Sequence, residues 1–156
     1  MEFRTIIDIQ FKEFDQTVFE KSLIWLNDPE IKRLTDTPDT NWDIRKRWFD
    51  SLKDRSDYYI RSVWRDDEPI GACGLKHITS TDGESFVYIG EKKYWGKAIG
   101  LQMLQHVINY GETLGLTSIY AQVLKENINS FKMASRFGFR KERDVDELRI
   151  LMRCYL

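Results

Sequence analysis

The segment Tyr94-Trp95-Gly96-Lys97-Ala98-Ile99-Gly100 joins a short alternating run to the most regular helical pattern in the chain, and its reading decides the fold. Upstream, Glu84 to Ile89 alternates as a strand does. Downstream, residues 98–114 place Ile99, Met103, Val107, Ile108 and Leu114 on one side. Gln102, Gln105, His106, Asn109 and Glu112 fall on the other, which is the signature of an amphipathic helix. Gly115 is a natural helix stop, and Thr117 to Leu124 returns to strand character. Strand, helix and strand in that order form a crossover unit, which requires a parallel pair with the helix packed on the sheet.

Outside this unit the connections are short. Phe3 to Phe11 alternates and reads as a strand. Residues 13–26 carry Phe14, Val18, Leu23 and Leu26 at helical spacing, and Asn27-Asp28-Pro29 ends that helix. Proline suits the first turn of a second short helix from Pro29. After a loop from Thr35 to Asn41, helical spacing resumes from Trp42 to Leu52. Tyr58–Trp64 and Pro69–Ile78 form a hairpin through Arg65-Asp66-Asp67-Glu68. Beyond the crossover come a helix from about Asn127 to Phe137 and a final pair of strands. In the last of these, Leu148, Ile150, Met152 and Cys154 alternate with Arg149, Leu151, Arg153 and Tyr155. The expected fold is a mixed α/β (α+β) sandwich, with a mostly antiparallel sheet flanked by helices. No repeat, linker or low-complexity tract interrupts residues 1–156, which read as a single domain.

Composition narrows the function. The 24 basic and 25 acidic side chains leave a net charge of -1, so no global basic field points to nucleic acid or an acidic membrane. Arg45-Lys46-Arg47 and Lys92-Lys93 read as solvated faces. Cys73 and Cys154 sit in apolar runs and read as buried thiols in a reducing compartment. His77 and His106 stand far apart, without the spacing of a metal site, so no metal is expected. The first residues lack the character of a secretory signal, and no apolar run suggests a membrane span. A cytoplasmic protein is expected.

The loop at 94–100 carries the chemistry. Small residues let backbone N–H groups approach a ligand, and the first helical turn adds its own unpaired donors, an arrangement suited to phosphates. No Gly-Lys-Ser/Thr closes it as a P-loop, and the glycine spacing is wrong for a dinucleotide fingerprint. Taken alone, the plainer account is a tight strand-to-helix turn.

More of the chain decides between these accounts. The run YIGEKKYWGKAIG, the following helix, GLTSIYAQV, Asn127-Ile128-Asn129-Ser130 and Arg136-Phe137-Gly138-Phe139 together resemble the GNAT acetyltransferase superfamily. The branch containing ribosomal-protein N-terminal acetyltransferases is the most similar, and Trp25-Leu26-Asn27-Asp28-Pro29-Glu30 resembles its first helix and loop. The resemblance implies acetyl-CoA as acyl donor and a primary amine as acceptor, either a small molecule such as an aminosugar nucleotide, slightly favoured, or a protein N-terminus. It implies that the strand near Val87 and Ile89 offers backbone groups to the pantetheine arm as an added strand would. Backbone N–H groups from Gly96 through Lys97, Ala98 and Ile99 to Gly100, next to Trp95, would hold the pyrophosphate. Asn127 would fix the pantetheine or acetyl end, with Ser130 and Lys132 along the cofactor. Trp25, Asn27, Asp28 and Trp42 would frame the acceptor, although core packing is the plainer role for each tryptophan. A homodimer is compatible with the branch.

Two departures from the family pattern bear on mechanism. Ala98 stands where glycine is usual, tolerable where the backbone is already helical. Ala134 stands where many members carry a tyrosine that protonates the leaving thiolate; Tyr88, Tyr94 and Ser135 are the candidate replacements, with Tyr88 preferred. A free thiol has a pKa of about 8.5, so coenzyme A leaves tolerably unaided, and general acid help is worth about 10²–10⁴-fold. Neutralising an α-amine at pH 7 costs under about 1.5 kcal/mol, against about 4–5 for lysine. Glu84 opens the acceptor-facing strand and is the candidate base, through water. No activated Cys or Ser motif is present, so direct attack is expected. The rival account is a fold that binds a CoA compound without turnover, and Ala134 is the residue favouring it.

Overall fold

In the computed structural model, which describes residues 6–156, most helices start at a residue whose side chain closes the first turn. Asp15 accepts from the Val18 N–H ahead of α1 (Gln16–Asn27), Asp28 from Glu30 and Ile31 ahead of α2 (Pro29–Leu34), and Asn41 from Ile44 ahead of α3 (Trp42–Ser51). The exception is α4 (Ile99–Thr113), which has no side-chain cap. Asn127 caps α5 (Ile128–Arg136) through the Ser130 N–H.

The strands are β1 (Gln10–Glu13), β2 (Tyr59–Arg65), β3 (Glu68–Lys76), β4 (Glu84–Ile89), β5 (Ser118–Leu124), β6 (Arg140–Asp144) and β7 (Arg149–Tyr155). They form one sheet in the order β1-β2-β3-β4-β5-β7-β6. Every neighbouring pair is antiparallel except β4 and β5, which run parallel as the crossover through α4 requires. The expected mixed, mostly antiparallel sheet flanked by helices is therefore the observed architecture.

The alternation of β3, β4, β5 and β7 divides the core between the two faces. On one face, Ile99, Met103, Leu104, Val107 and Ile108 of α4 pack on Val63, Cys73, Leu75, Ile119, Ile150 and Met152. On the other, Phe14, Val18, Phe19 and Trp25 of the α1 region pack with Ile31 and Ala72. Both cysteines are buried free thiols, and burial pushes the Cys73 thiol up to about 12.

Two expectations are corrected here. The first strand spans Gln10–Glu13 rather than Phe3–Phe11, and residues 1–5 lie outside the described part. Its partner explains the limit: Gln10 pairs with Trp64, so residues 6–8 lie beyond Arg65, the last residue of β2, with no strand left to bond. Ile7, Ile9 and Phe11 still pack on the α4-side core, so the alternation was right while the ladder is short. On α4, Leu104 and Gly111 are buried where Leu114 was expected; Leu114 is the C-terminal cap residue and is exposed.

Candidate active site

The parallel pair at the centre of the sheet is almost unmade. β4 and β5 share one register position, Glu84 opposite Tyr120, and then diverge. Which main-chain groups face the gap follows from the β3–β4 ladder. Gly90 donates its N–H to the Ile70 carbonyl at 2.7 Å. Bonded and non-bonded pairs alternate along an antiparallel ladder, so Glu84, Phe86 and Tyr88 spend their main-chain groups on β3. Ser85, Val87 and Ile89 turn theirs towards β5, and beyond Glu84 there is no bridge to meet them. The Ile89 carbonyl is occupied by the Trp95 indole N–H at 2.9 Å.

This divergence opens a cleft of about 600 Å³. Its walls are Val87 and Ile89 on one side, Ala121 and Val123 on the other, and Gly96, Gly100 and the face of α5 at one end. Gly96 lies at φ +74 with open space around its Cβ position, so it answers a backbone need rather than a packing one. Ala98, the residue before α4, lies at φ 62 and ψ 16, in the left-handed region. The expectation that its backbone is already right-handed helical is thus corrected. The exposed alanine carries strain where glycine would carry none, because its Cβ crowds the following carbonyl. The N–H groups of the first turn of α4 have no side-chain acceptor among the described residues. They are unpaired donors at the positive end of a 15-residue helix.

Glu84 stands at the apex of the divergence, 8% exposed, and lines the cleft. Lys76 Nζ and His77 Nε2 are 3.8 and 3.9 Å from its two oxygens, too far to hold them in hydrogen bonds. Tyr88 lies on the same face of β4, edge-on to Trp25, and burial raises its pKa well above the usual phenol value. Tyr58, which sequence reading passed over, lines the same wall against Phe86, and burial raises its pKa too. Ala134 belongs to the core on the opposite face, with Phe139 and Met133 beside it in the cleft. Tyr94 and Ser135 do not line the cleft.

The remaining expected residues separate by contact. Asn127 and Ser130 line the cleft. The Asn127 amide is already engaged at both ends, accepting from Ser130 at 3.1 Å and donating to the Leu34 carbonyl at 3.2 Å. Lys132 is exposed on α5 and outside the cleft lining; Asn129, Ser130, Met133 and Ala134 are the α5 residues that line it. Lys97 is likewise exposed, and Ile99 is buried in the core beneath the loop.

Of the residues expected to frame the acceptor, Asn27 and Trp42 line a second cavity of about 200 Å³ that shares Leu26, Thr37, Pro38 and Arg45 with the large cleft. Trp42 is 50% exposed. Trp25 and Asp28 are elsewhere. Trp25 is 4% exposed and lies flat on Gly90, where an added Cβ would come within 2.1 Å of its ring. Its indole donates to Glu91 at 3.0 Å. The framing role expected for Trp25 gives way to packing because Gly90 supplies a bare backbone for the ring to cover. Asp28 caps α2 and pairs with Lys92 at 3.1 Å; the cap and the ammonium hold its carboxyl below the usual range.

Comparison with known proteins fits this geometry. The acetyltransferase (GNAT) domain profile matches residues 9–140. The chain belongs to the GNAT acetyltransferase family. It is 32% identical to an uncharacterised N-acetyltransferase, p20, of Bacillus licheniformis over 124 residues, 74% of this chain and 70% of that protein. It is 24% identical over 140 residues to an uncharacterised protein of Methanocaldococcus jannaschii, which covers 86% of this chain but only 28% of that protein's length. The fold is also that of the Campylobacter jejuni N-acetyltransferase PseH, solved in complex with acetyl coenzyme A. There the TM-score is 0.73 at 20% identity, covering 95% of this chain and 99% of that one. Among the described residues no helix is long and apolar enough to cross a membrane.

Proposed function

We propose that this GNAT chain transfers the acetyl group of acetyl-CoA directly to a primary amine. One observation carries the reading: an unbridged strand edge and an uncapped helix N-terminus open onto one cleft, with a carboxylate at its apex. The donor fits that cleft by its chemistry. Its amide-bearing arm matches the free main-chain groups of Val87 and the Ile89 N–H, as an added strand would. Its pyrophosphate matches the open N–H groups from Gly96 to Gly100.

In this reading the chain's own groups do the following. Glu84 takes the amine proton through water, since both of its oxygens are free of close hydrogen bonds within the described residues. The neutral amine attacks the acetyl carbonyl, the C–S bond breaks, the thiolate leaves, and the extra proton on the new amide nitrogen passes through water to the thiolate. The apolar wall of Ala134, Met133 and Phe139 offers no acid to that thiolate. Tyr88 keeps its proton at neutral pH and acts as a hydrogen-bonding wall on the acceptor side. A small amine is favoured over a protein N-terminus because the second cavity adds only about 200 Å³ to the acceptor end of the cleft.

The test combines binding and turnover. Acetyl-CoA at about 100 times its dissociation constant stabilises the fold by about 2.7 kcal/mol. Glu84→Gln retains that stabilisation while kcat/KM falls about 10²–10⁴-fold. Stabilisation without turnover on any amine points instead to a module that only binds a CoA compound. No stabilisation at millimolar acetyl-CoA overturns the reading altogether.

A further inference from the structure

Arg45 of α3 differs from the neighbouring cations: Lys76 also lines the large cleft but has the Glu84 carboxylate 3.8 Å away, and it does not reach the smaller cavity. Lys32 is tied to Asp39, and Lys92 is held between Asp28 and Glu30 at 3.1 Å from each. Arg45 has no carboxylate or hydrogen-bond acceptor among the described residues, although it is half-buried. Its guanidinium lies over the Trp48 ring, 4.3 Å from the centroid, and Trp48 is itself braced edge-on by Tyr58. Stacking fixes the guanidinium plane and leaves its N–H edge unspent. Arg45 lines both cavities, at the place where they join. Its charge favours the ionised forms of Tyr58 and Tyr88, which line the same cleft, though burial outweighs it at both.

The acids around this space complete the picture. Among the described residues none lines the smaller cavity. Of the two lining the larger one, Asp36 is clamped by Arg149, with one contact at 2.8 Å, and Glu84 is the proposed base. A polyamine would therefore find no free carboxylate for its second charge and would meet Arg45 instead.

Resting on the acetyl-transfer reading, we propose that Arg45 is the specificity-determining residue of the acceptor site, and that the acceptor is a primary amine carrying a phosphate or carboxylate group. The amine sits at Glu84 and the anion docks on the guanidinium edge of Arg45. The body between them lies along Leu26 and Pro38, which line both cavities. A planar fork of donors suits either oxyanion, which is why both belong to the class.

Two matched pairs of amines separate the sources of negative charge: glucosamine 6-phosphate against glucosamine, and 4-(aminomethyl)benzoate against benzylamine. Acetyl transfer and calorimetric binding are measured for each on the full chain, on Arg45→Gln and on Arg45→Lys. At least one anionic member is expected to exceed its neutral partner by tenfold or more in kcat/KM. In Arg45→Gln that ratio collapses through a rise in KM for the anionic member, and Arg45→Lys restores part of it. No preference in either pair, or an Arg45→Gln ratio equal to that of the unaltered chain, overturns the proposal. Calorimetry keeps the two readings apart. Anion-selective, Arg45-dependent binding without turnover supports this proposal while the acetyl-transfer reading fails, and turnover without anion selectivity does the reverse.

Discussion

Ala98→Gly should make this protein more stable, which is unusual for a substitution to glycine just ahead of a helix. Ala98 is exposed, so removing its methyl forfeits no packing. Its φ of 62 costs an L-residue about 1–2 kcal/mol, and glycine lifts that cost. Glycine also gives the unfolded chain more freedom, which returns about 0.5–1 kcal/mol. The balance is a gain of about 0.5–1 kcal/mol, or about 1–4 °C in Tm for a chain of this size. Thermal unfolding followed by circular dichroism measures it directly. Gly96→Ala is the internal control. Its φ is +74 and its Cβ would meet nothing within 4 Å, so the same arithmetic with the sign reversed predicts a loss of about 0.5–1 kcal/mol. A lower Tm for Ala98→Gly, or no loss for Gly96→Ala, would refute the left-handed backbone assigned to this loop.

Other substitutions probe other parts of the argument. Trp25→Ala should cost about 3–5 kcal/mol in chemical denaturation, because a buried ring is lost from above Gly90; a loss of acceptor affinity with stability intact would return Trp25 to the site. Gly100→Ala should fold, since only the flexible Met133 sulfur, at 3.1 Å, stands in the way. Acetyl-CoA affinity should nevertheless fall about tenfold, about 1.4 kcal/mol, as the cleft narrows between α4 and α5, and unchanged titration calorimetry would contradict the cleft assignment. Stability should also decline in acid through His106. Burial under Phe11, and then the charge of Arg61, depress its pKa from 6.5. The neutral ring's contribution is therefore complete above pH 6.5 and drains away as the pH falls through the lower folded value. His106→Gln should flatten that part of the Tm–pH curve, and an unchanged curve would show that another group is responsible.

What the sequence revealed depended on whether a feature is written in side-chain pattern or in backbone conformation. The strand at 84–89, the α4 stripe and the hairpin at 59–76 are periodicities, and they emerged with little error. The first strand was misplaced because alternation records which side chains face the core, whereas a ladder also needs a partner, and β2 ends too soon. Ala98 was misread because residue type argues against a left-handed backbone, and only the coordinates reveal one. Lys132 and Trp25 were assigned by position in a motif, but the helical phase of α5 and the bare surface at Gly90 decided where they went. Asn127 occupies the expected place while serving as a helix cap, two roles that one letter cannot distinguish. Arg45 was hidden in a basic run that reads as ordinary solvated surface. A signal did exist: an aromatic three residues later on the same helical face, Trp48, which makes a stacked arginine possible.

The unbridged edge of β4 has a consequence for how such a site tolerates change. Every amino acid except proline carries the same main-chain N–H and C=O, so a ligand held by Val87 and Ile89 through those groups is indifferent to their identity. Exchange of Val87 or Ile89 for another apolar side chain of similar size, which keeps the core contact, should leave that main-chain contact unchanged. Chains sharing only a fifth to a third of their residues with this one can therefore keep the fold without keeping the side chains of this strand. Their differences would gather on the walls that meet the acceptor.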